Sequence, residues 1–324
     1  MPGADHLERL ADSHHHLWDL GANRYPWLQG EPEDPADPSG AGMLQRDYLV
    51  QDLLADTAGL PLIVSVHVEA AHDPADPVRE TRWLQSLTDT LGFPTAIVAA
   101  ATLEAADISE VLAAHCEHAG VKGIRQMLDR NPVSGASEET PLLEDSKWRR
   151  GFALLAPLAL SFDLQVLPSQ LGAAARLAAD FHETTFVLNH GGYHVRASPE
   201  QRELWRTGLA LLARQPNVVV KLSGYDAVDP TWAIGGYTEF VWTLLETFGV
   251  DRVLFGSNFP VDRRTITYAA LVDATLALTQ QLTADERDRL FYRNTVRTYR
   301  IDFPAPPAAN GPITNHTLGV WGLR

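Results

Sequence analysis

Three consecutive histidines, His14, His15 and His16, follow Asp12 and precede Trp18 in the stretch ADSHHHLWDL. On an extended strand, residues two apart share a face and lie ~6.5–7 Å apart. His14 and His16 then project together, and His15 turns the other way. Two imidazoles at that spacing suit a metal ion, or paired hydrogen-bonding groups for a substrate. A purification tag does not explain the run, because tags are longer and sit at a terminus.

More polar residues interrupt apolar runs further along: His67 and Glu69, Arg125, Asp163 and Gln165, Asn189 and His190, Lys221 and Ser223, then Ser257, Asn258 and, four residues on, Asp262. A polar side chain inside an apolar strand costs stability unless it is paired or used. One such residue is ordinarily structural. A set spread over most of the strands points to a polar pocket, with His14, His16 and His190 at its centre. Single members have plainer readings. His67 fits a core histidine equally well, Glu69 and Arg125 fit a buried ion pair, and Lys221 fits a side chain reaching to the rim. Asp12 is suited to orienting neighbouring backbone. His72 and His194 are expected in solvated loops, and His115, His118 and His182 on helices or their ends. Trp18, Tyr25, Trp27 and Trp232 lie in or beside long loops, where they suit the walls of a ring-binding site or simple loop packing.

These residues need a scaffold that gathers them. Eight β-branched, apolar runs bounded by turn residues predict strands over 11–18, 62–70, 95–103, 121–128, 161–168, 184–191, 218–225 and 252–260. Helix-like stretches separate them, and a last one follows the eighth run. Strands alternating with helices eight times predict a single-domain α/β protein, a (β/α)8 TIM-type barrel. No glycine-rich phosphate loop supports an open doubly wound sheet. Links from helix to strand are short, such as LGFPT and RQPNV. Links from strand to helix are long after the first, fourth, sixth and seventh strands. A barrel builds its site from those loops. The 324 residues are read as one domain, its barrel core over about 11–302 and a tail over 303–324 in which Leu318 and Trp321 offer something to bury.

Composition narrows the partners. The net charge of −15 argues against nucleic acid or an acidic membrane. The single cysteine, Cys116, forms no internal disulfide and reads as a small helix residue. No signal-like or membrane-spanning apolar run is evident, so a soluble cytoplasmic protein with a small-molecule substrate is expected, and a homo-oligomer is admitted.

The D-x-H-x-H opening at Asp12, His14 and His16, together with His190, resembles the amidohydrolase superfamily. The motifs DSHHHLWDL, RYPWL, RDYLVQDL, VHVEA, GIRQ, SFDLQVLP, FVLNHGG, VKLSG and FGSNFPVD resemble its lactonase-rich branch, which includes L-fuconolactonase and 2-pyrone-4,6-dicarboxylate lactonase. The resemblance spans about residues 11–302. It implies a distorted barrel that hydrolyses a lactone or related ester. It also implies an aspartate ending strand eight, and Asn258 stands at that position. An amide takes no proton at neutral pH, so the base moves to Asp262 or a histidine, or a metal activates water.

Two mechanisms follow. In one, His14, His16 and His190 hold one divalent ion, zinc by preference, whose bound water attacks. In the other no cofactor binds. The histidines and Arg125 polarise a carbonyl, and Asp262 or a histidine takes the proton. His67, Glu69, Arg125, Gln165, Lys221, Trp18 and Tyr25 are expected to contact substrate, with Arg125 and Lys221 suited to a carboxylate. A lactone isomerase or decarboxylase on the same barrel, and a non-catalytic binding barrel, are the alternatives.

Overall fold

Eight strands form one parallel sheet in sequence order: β1 (Leu10–His15), β2 (Leu62–Val68), β3 (Ala96–Ala100), β4 (Val121–Met127), β5 (Ser161–Gln165), β6 (Phe186–Leu188), β7 (Val218–Leu222) and β8 (Val253–Phe255). The structure is a computed structural model that describes residues 7–30, 41–129, 141–193, 199–225 and 234–302. His194, Trp232 and the tail lie outside them. The last seam, between β1 and β8, closes beyond β8 itself. The Asn258 amide donates to the His14 carbonyl (2.7 Å), and the His16 amide to the Phe259 carbonyl (2.7 Å). The β1 histidines are therefore part of the barrel's closure.

Helices flank the sheet, among them α1 (Val50–Asp56), α2 (Arg79–Leu91), α3 (Ile108–Cys116), α4 (Ser146–Phe152), α5 (Leu171–Asp180), α6 (Pro199–Ala213), α7 (Ile234–Phe248) and α8 (Tyr268–Leu278). Local chemistry sets several ends. Asp145 caps α4 by accepting from the Lys147 and Trp148 amides, and Gly92 ends α2 in the left-handed conformation at φ 77°. After α9 (Ala284–Asp288) and α10 (Asn294–Thr298), Tyr299 is fully buried and joins the strand-borne cluster Val66, Val68, Ala96, Val98, Val187, Val219 and Leu254. A larger core, including Ile97, Ile124, Phe162, Phe186 and Phe255, is formed with residues of the helices. The parity is consistent: alternate strand residues fall in different cores, as a two-residue period requires.

All eight expected strands exist, yet each ends earlier than its apolar run. His16, Glu69, His190, Ser223 and Asn258 lie past the last paired residue of their strands. The chain breaks sharply there. His190 and Asn258 adopt left-handed φ values of 53° and 57°, conformations that cost an L-residue roughly 1–2 kcal/mol. Residue type stays strand-like through these breaks, which is why the runs read long. No helix among the described residues is long and apolar enough to cross a membrane.

Candidate active site

The seam between β1 and the segment after β8 is held by one buried carboxylate. Asp12 accepts from the amides of His14 (3.0 Å) and Ser257 (2.9 Å), the Ser257 hydroxyl (2.6 Å) and the Tyr268 hydroxyl (3.1 Å). Burial pushes its pKa up, against the pull of these donors. With its acceptor sites engaged, Asp12 sets backbone and does not face the pocket.

Above it, three imidazoles meet. The His14 and His16 ring centroids are 5.1 Å apart and edge-on, and those of His14 and His190 are 4.5 Å apart. Each ring is held through Nδ1. His16 Nδ1 donates to the Val68 carbonyl (2.7 Å), His190 Nδ1 pairs with the Ser223 hydroxyl (3.0 Å), and His14 Nδ1 faces the Lys221 ammonium (3.4 Å). Nε2 of His14 is buried with no hydrogen-bond partner among the described residues. Burial, reinforced by Lys221, His190 and His16, holds the His14 pKa well below the ordinary range. Burial and the Arg125 charge do the same for His16. Both rings are neutral at pH 7. Gly224 makes room for His190: a Cβ there would lie 2.2 Å from His190 Nδ1, at a φ of +66°.

Lys221 is fully buried in the barrel. Its ammonium pairs with Asp163, whose carboxylate also accepts from Asn189 Nδ2 (3.0 Å) and the Tyr299 hydroxyl (3.1 and 3.0 Å). Burial lowers the Lys221 pKa to about 8 against the pull of Asp163. Lys221 therefore does not reach to the rim: β7 points it into the barrel beneath His14.

Arg125 donates to Glu69 Oε1 (2.6 Å), the Glu69 carbonyl (2.5 Å) and Gln165 Oε1 (2.8 Å). Gln165 Nε2 donates in turn to Asp129 (3.2 Å), and Glu69 Oε2 accepts the Ala71 amide (2.7 Å). Glu69 and Gln165 thus aim and neutralise Arg125, whose charge lies close enough to lower the His16 pKa. On the other side, Asn258 Nδ2 donates to Asp262 Oδ1 (2.6 Å), and both residues are buried. The left-handed turn at Asn258 brings the two side chains together.

Three further expected contacts, His67, Tyr25 and Trp18, are buried against protein partners. Val66 and Val68 join the Tyr299 cluster, so His67 faces the other side of β2. There its Nδ1 accepts the Leu17 amide (3.0 Å) and its Nε2 stands 3.7 Å from Glu80 of α2. Tyr25 is fully buried, edge-on to His72 and beside Glu80; His72 is itself buried, not solvated. Trp18 is buried, stacks on His16 (centroids 6.4 Å) and donates through Nε1 to the Arg46 carbonyl (2.7 Å). It is a wall behind His16. Trp27 is the exposed aromatic of this loop, 46% accessible.

Two residues bearing on the site carried no usable sequence signal. Tyr299 arrives from the last helix, and Asp129 from the turn after β4. Asp163 and Ser223 stood in the right parity with Gln165 and Lys221, but parity alone assigns no partner.

A family model described as Amidohydrolase matches residues 11–301. The chain belongs to the amidohydrolase family. This amidohydrolase is 37% identical to the uncharacterised protein y4mH of Sinorhizobium fredii, over 90% of this chain and 98% of that one. It is 28% identical to L-fucono-1,5-lactonase of Burkholderia multivorans, over 91% and 97%. A crystal structure of an amidohydrolase from Burkholderia multivorans with bound zinc superposes with a TM-score of 0.77 at 27% identity, covering 90% of this chain and 99% of that one.

Three imidazoles are donors that zinc accepts. Their placement in this amidohydrolase does not fit an ion. Among the described residues no group of three His, Cys, Asp or Glu side chains is arranged to hold a metal. The position after β8 offers an amide already donating to Asp262, and an ammonium faces His14.

Proposed function

We propose that this amidohydrolase opens a small lactone by water attack, using its own side chains. The observation that carries the reading is the His14–His16–His190 cluster at the C-terminal end of the barrel, its rings anchored at Nδ1, where the Asn258 amide donates to the His14 carbonyl and the Asn258 side chain to Asp262. Similarity to the L-fucono-1,5-lactonase supports a cyclic ester of a sugar acid as substrate.

The lactone carbonyl oxygen takes hydrogen bonds from the imidazole cluster and from the Arg125 N–H groups that Glu69 and Gln165 leave over. Water attacks the carbonyl carbon while Asp262, held by Asn258, accepts its proton. The negative charge that gathers on the carbonyl oxygen meets donors already fixed in a buried site, where they act strongly. The ring C–O bond then breaks. The departing oxygen takes the proton back from Asp262, leaving an open hydroxy acid. Neutral imidazoles suit this chemistry, because burying a neutral donor costs far less than burying a charge. Trp18 backs His16, and Glu69 and Gln165 keep Arg125 in line.

The test is a panel of sugar-acid and aromatic-catabolism lactones, read by acid release and product mass. Turnover with a gain of one water, reduced about 10²–10⁴-fold in Asp262→Asn and lost in His190→Ala, is expected. A product of unchanged mass, or one lacking carbon dioxide, replaces hydrolysis by isomerisation or decarboxylation. Full activity in Asp262→Asn removes that residue as the base.

A further inference from the structure

We infer that buried Lys221 is a positioning residue that fixes the His14 tautomer, so that the H-x-H pair presents one donor and one acceptor to the substrate in place of two metal-binding lone pairs. An ammonium carries donors and no acceptor. Lys221 Nζ lies 3.4 Å from His14 Nδ1, so Nδ1 accepts. A neutral imidazole has one N–H, and that hydrogen is then on Nε2. His16 is the reverse case. A backbone carbonyl only accepts, so His16 Nδ1, 2.7 Å from the Val68 carbonyl, carries the hydrogen, and its Nε2 is bare.

Lys221 is built to stay charged in this role. Asp163 pairs with it, and Tyr299 and Asn189 hold Asp163 in turn. The pair is completely buried on both sides. Removing one partner of such a pair is far more disruptive than removing both. His14 Nε2–H is left buried among the histidines and without a partner among the described residues, an arrangement that is costly until something accepts from it. A substrate carbonyl oxygen is such an acceptor. The bare His16 Nε2 accepts from the attacking water or a substrate hydroxyl. The same tautomers oppose a metal: an ion bridging His14 and His16 through Nε2 has a hydrogen in its way on one of them. Carbonyl polarisation by His14 rests on the lactonase reading; the tautomer assignment does not.

Ring nitrogen NMR of the full chain labelled with ¹⁵N-histidine tests it, with His14→Gln and His16→Gln spectra assigning the signals. In the wild type, His14 is expected to show a bare Nδ1 and protonated Nε2, and His16 the opposite. Hydrogen on His14 Nδ1, or on both its nitrogens, overturns the inference. So does a zinc titration in which one ion per chain shifts both rings at low micromolar metal. The neutral double variant Asp163→Asn/Lys221→Met is expected to release the His14 tautomer and lower kcat at least 10-fold with KM little changed. Lys221→Arg, which still only donates, is expected to keep Nε2–H. A His14 spectrum unchanged in the neutral double variant shows that Lys221 is not the cause. If that variant does not fold, the wild-type spectrum and the zinc titration still decide. An inert lactone panel with the expected tautomers removes the hydrolase reading alone.

Discussion

Gly224→Ala is the sharpest probe of how the site is assembled. A Cβ at residue 224 would lie 2.2 Å from His190 Nδ1 and 2.5 Å from its Cγ, and no rotation of a methyl group relieves that. Ordinary contact begins near 3.4 Å, so the ring must retreat by about 1.2 Å. That retreat breaks the 3.0 Å bond from His190 to Ser223. A displacement of about 1 Å in a catalytic group is worth roughly 10²-fold in rate, and loss of a donor to the oxyanion roughly 10²–10³. The φ of +66° adds about 1–2 kcal/mol of backbone strain for alanine. We therefore expect kcat/KM on a lactone that the wild type turns over to fall at least 100-fold, with a lowered Tm. The double variant Gly224→Ala/His190→Gly removes the ring that the methyl meets. It should recover part of the Tm and none of the activity. Wild-type activity in Gly224→Ala, or a double variant no more stable than the single, would refute the packing argument and the place it gives His190.

Arg125→Met leaves the Glu69 charge buried and should cost about 3–5 kcal/mol in denaturant unfolding, whereas Glu69→Leu/Arg125→Met should recover most of it; a mild single variant would mean that Glu69 reaches water. Glu80 tests the far side of β2. Burial raises its pKa to about 7, so the folded chain holds a proton that the unfolded chain releases above its ordinary pKa of about 4.3. That contribution is complete at low pH and is lost as pH rises towards 7, by at most roughly 1.4 kcal/mol per unit. Stability of wild type relative to Glu80→Gln should therefore fall with pH between about 4.3 and 7, and a flat difference would place Glu80 outside the core. Asn258→Asp sets a second carboxylate where an amide now stands 2.6 Å from Asp262. Two such groups cannot both ionise readily, so the acid limb of the kcat/KM profile should move to higher pH, and an unmoved limb would separate Asp262 from the rate.

The barrel was legible because its signal is repetitive: eight apolar runs, each followed by a helix, with irregular sequence after the strands and not before them. The H-x-H pairing was legible for a similar reason, since a two-residue period puts His14 and His16 on one side whatever the rest of the chain does. Residue type also marked Asn258 as an amide where the resemblance implies an acid. What the chain could not reveal in one dimension was which face of a strand turns inward. His67 and Arg125 look alike as polar interruptions of apolar runs, yet β2 turns His67 towards Glu80 while β4 sends Arg125 towards Glu69 and Gln165. Lys221 reads as a rim residue until Asp163, 58 positions away, and Tyr299 from the last helix close around it. Sequence determines which groups are available and their local period. Only the closed barrel decides the partner of each group, and the partner decides charge, tautomer and direction, because a buried polar atom takes its state from the atom it faces.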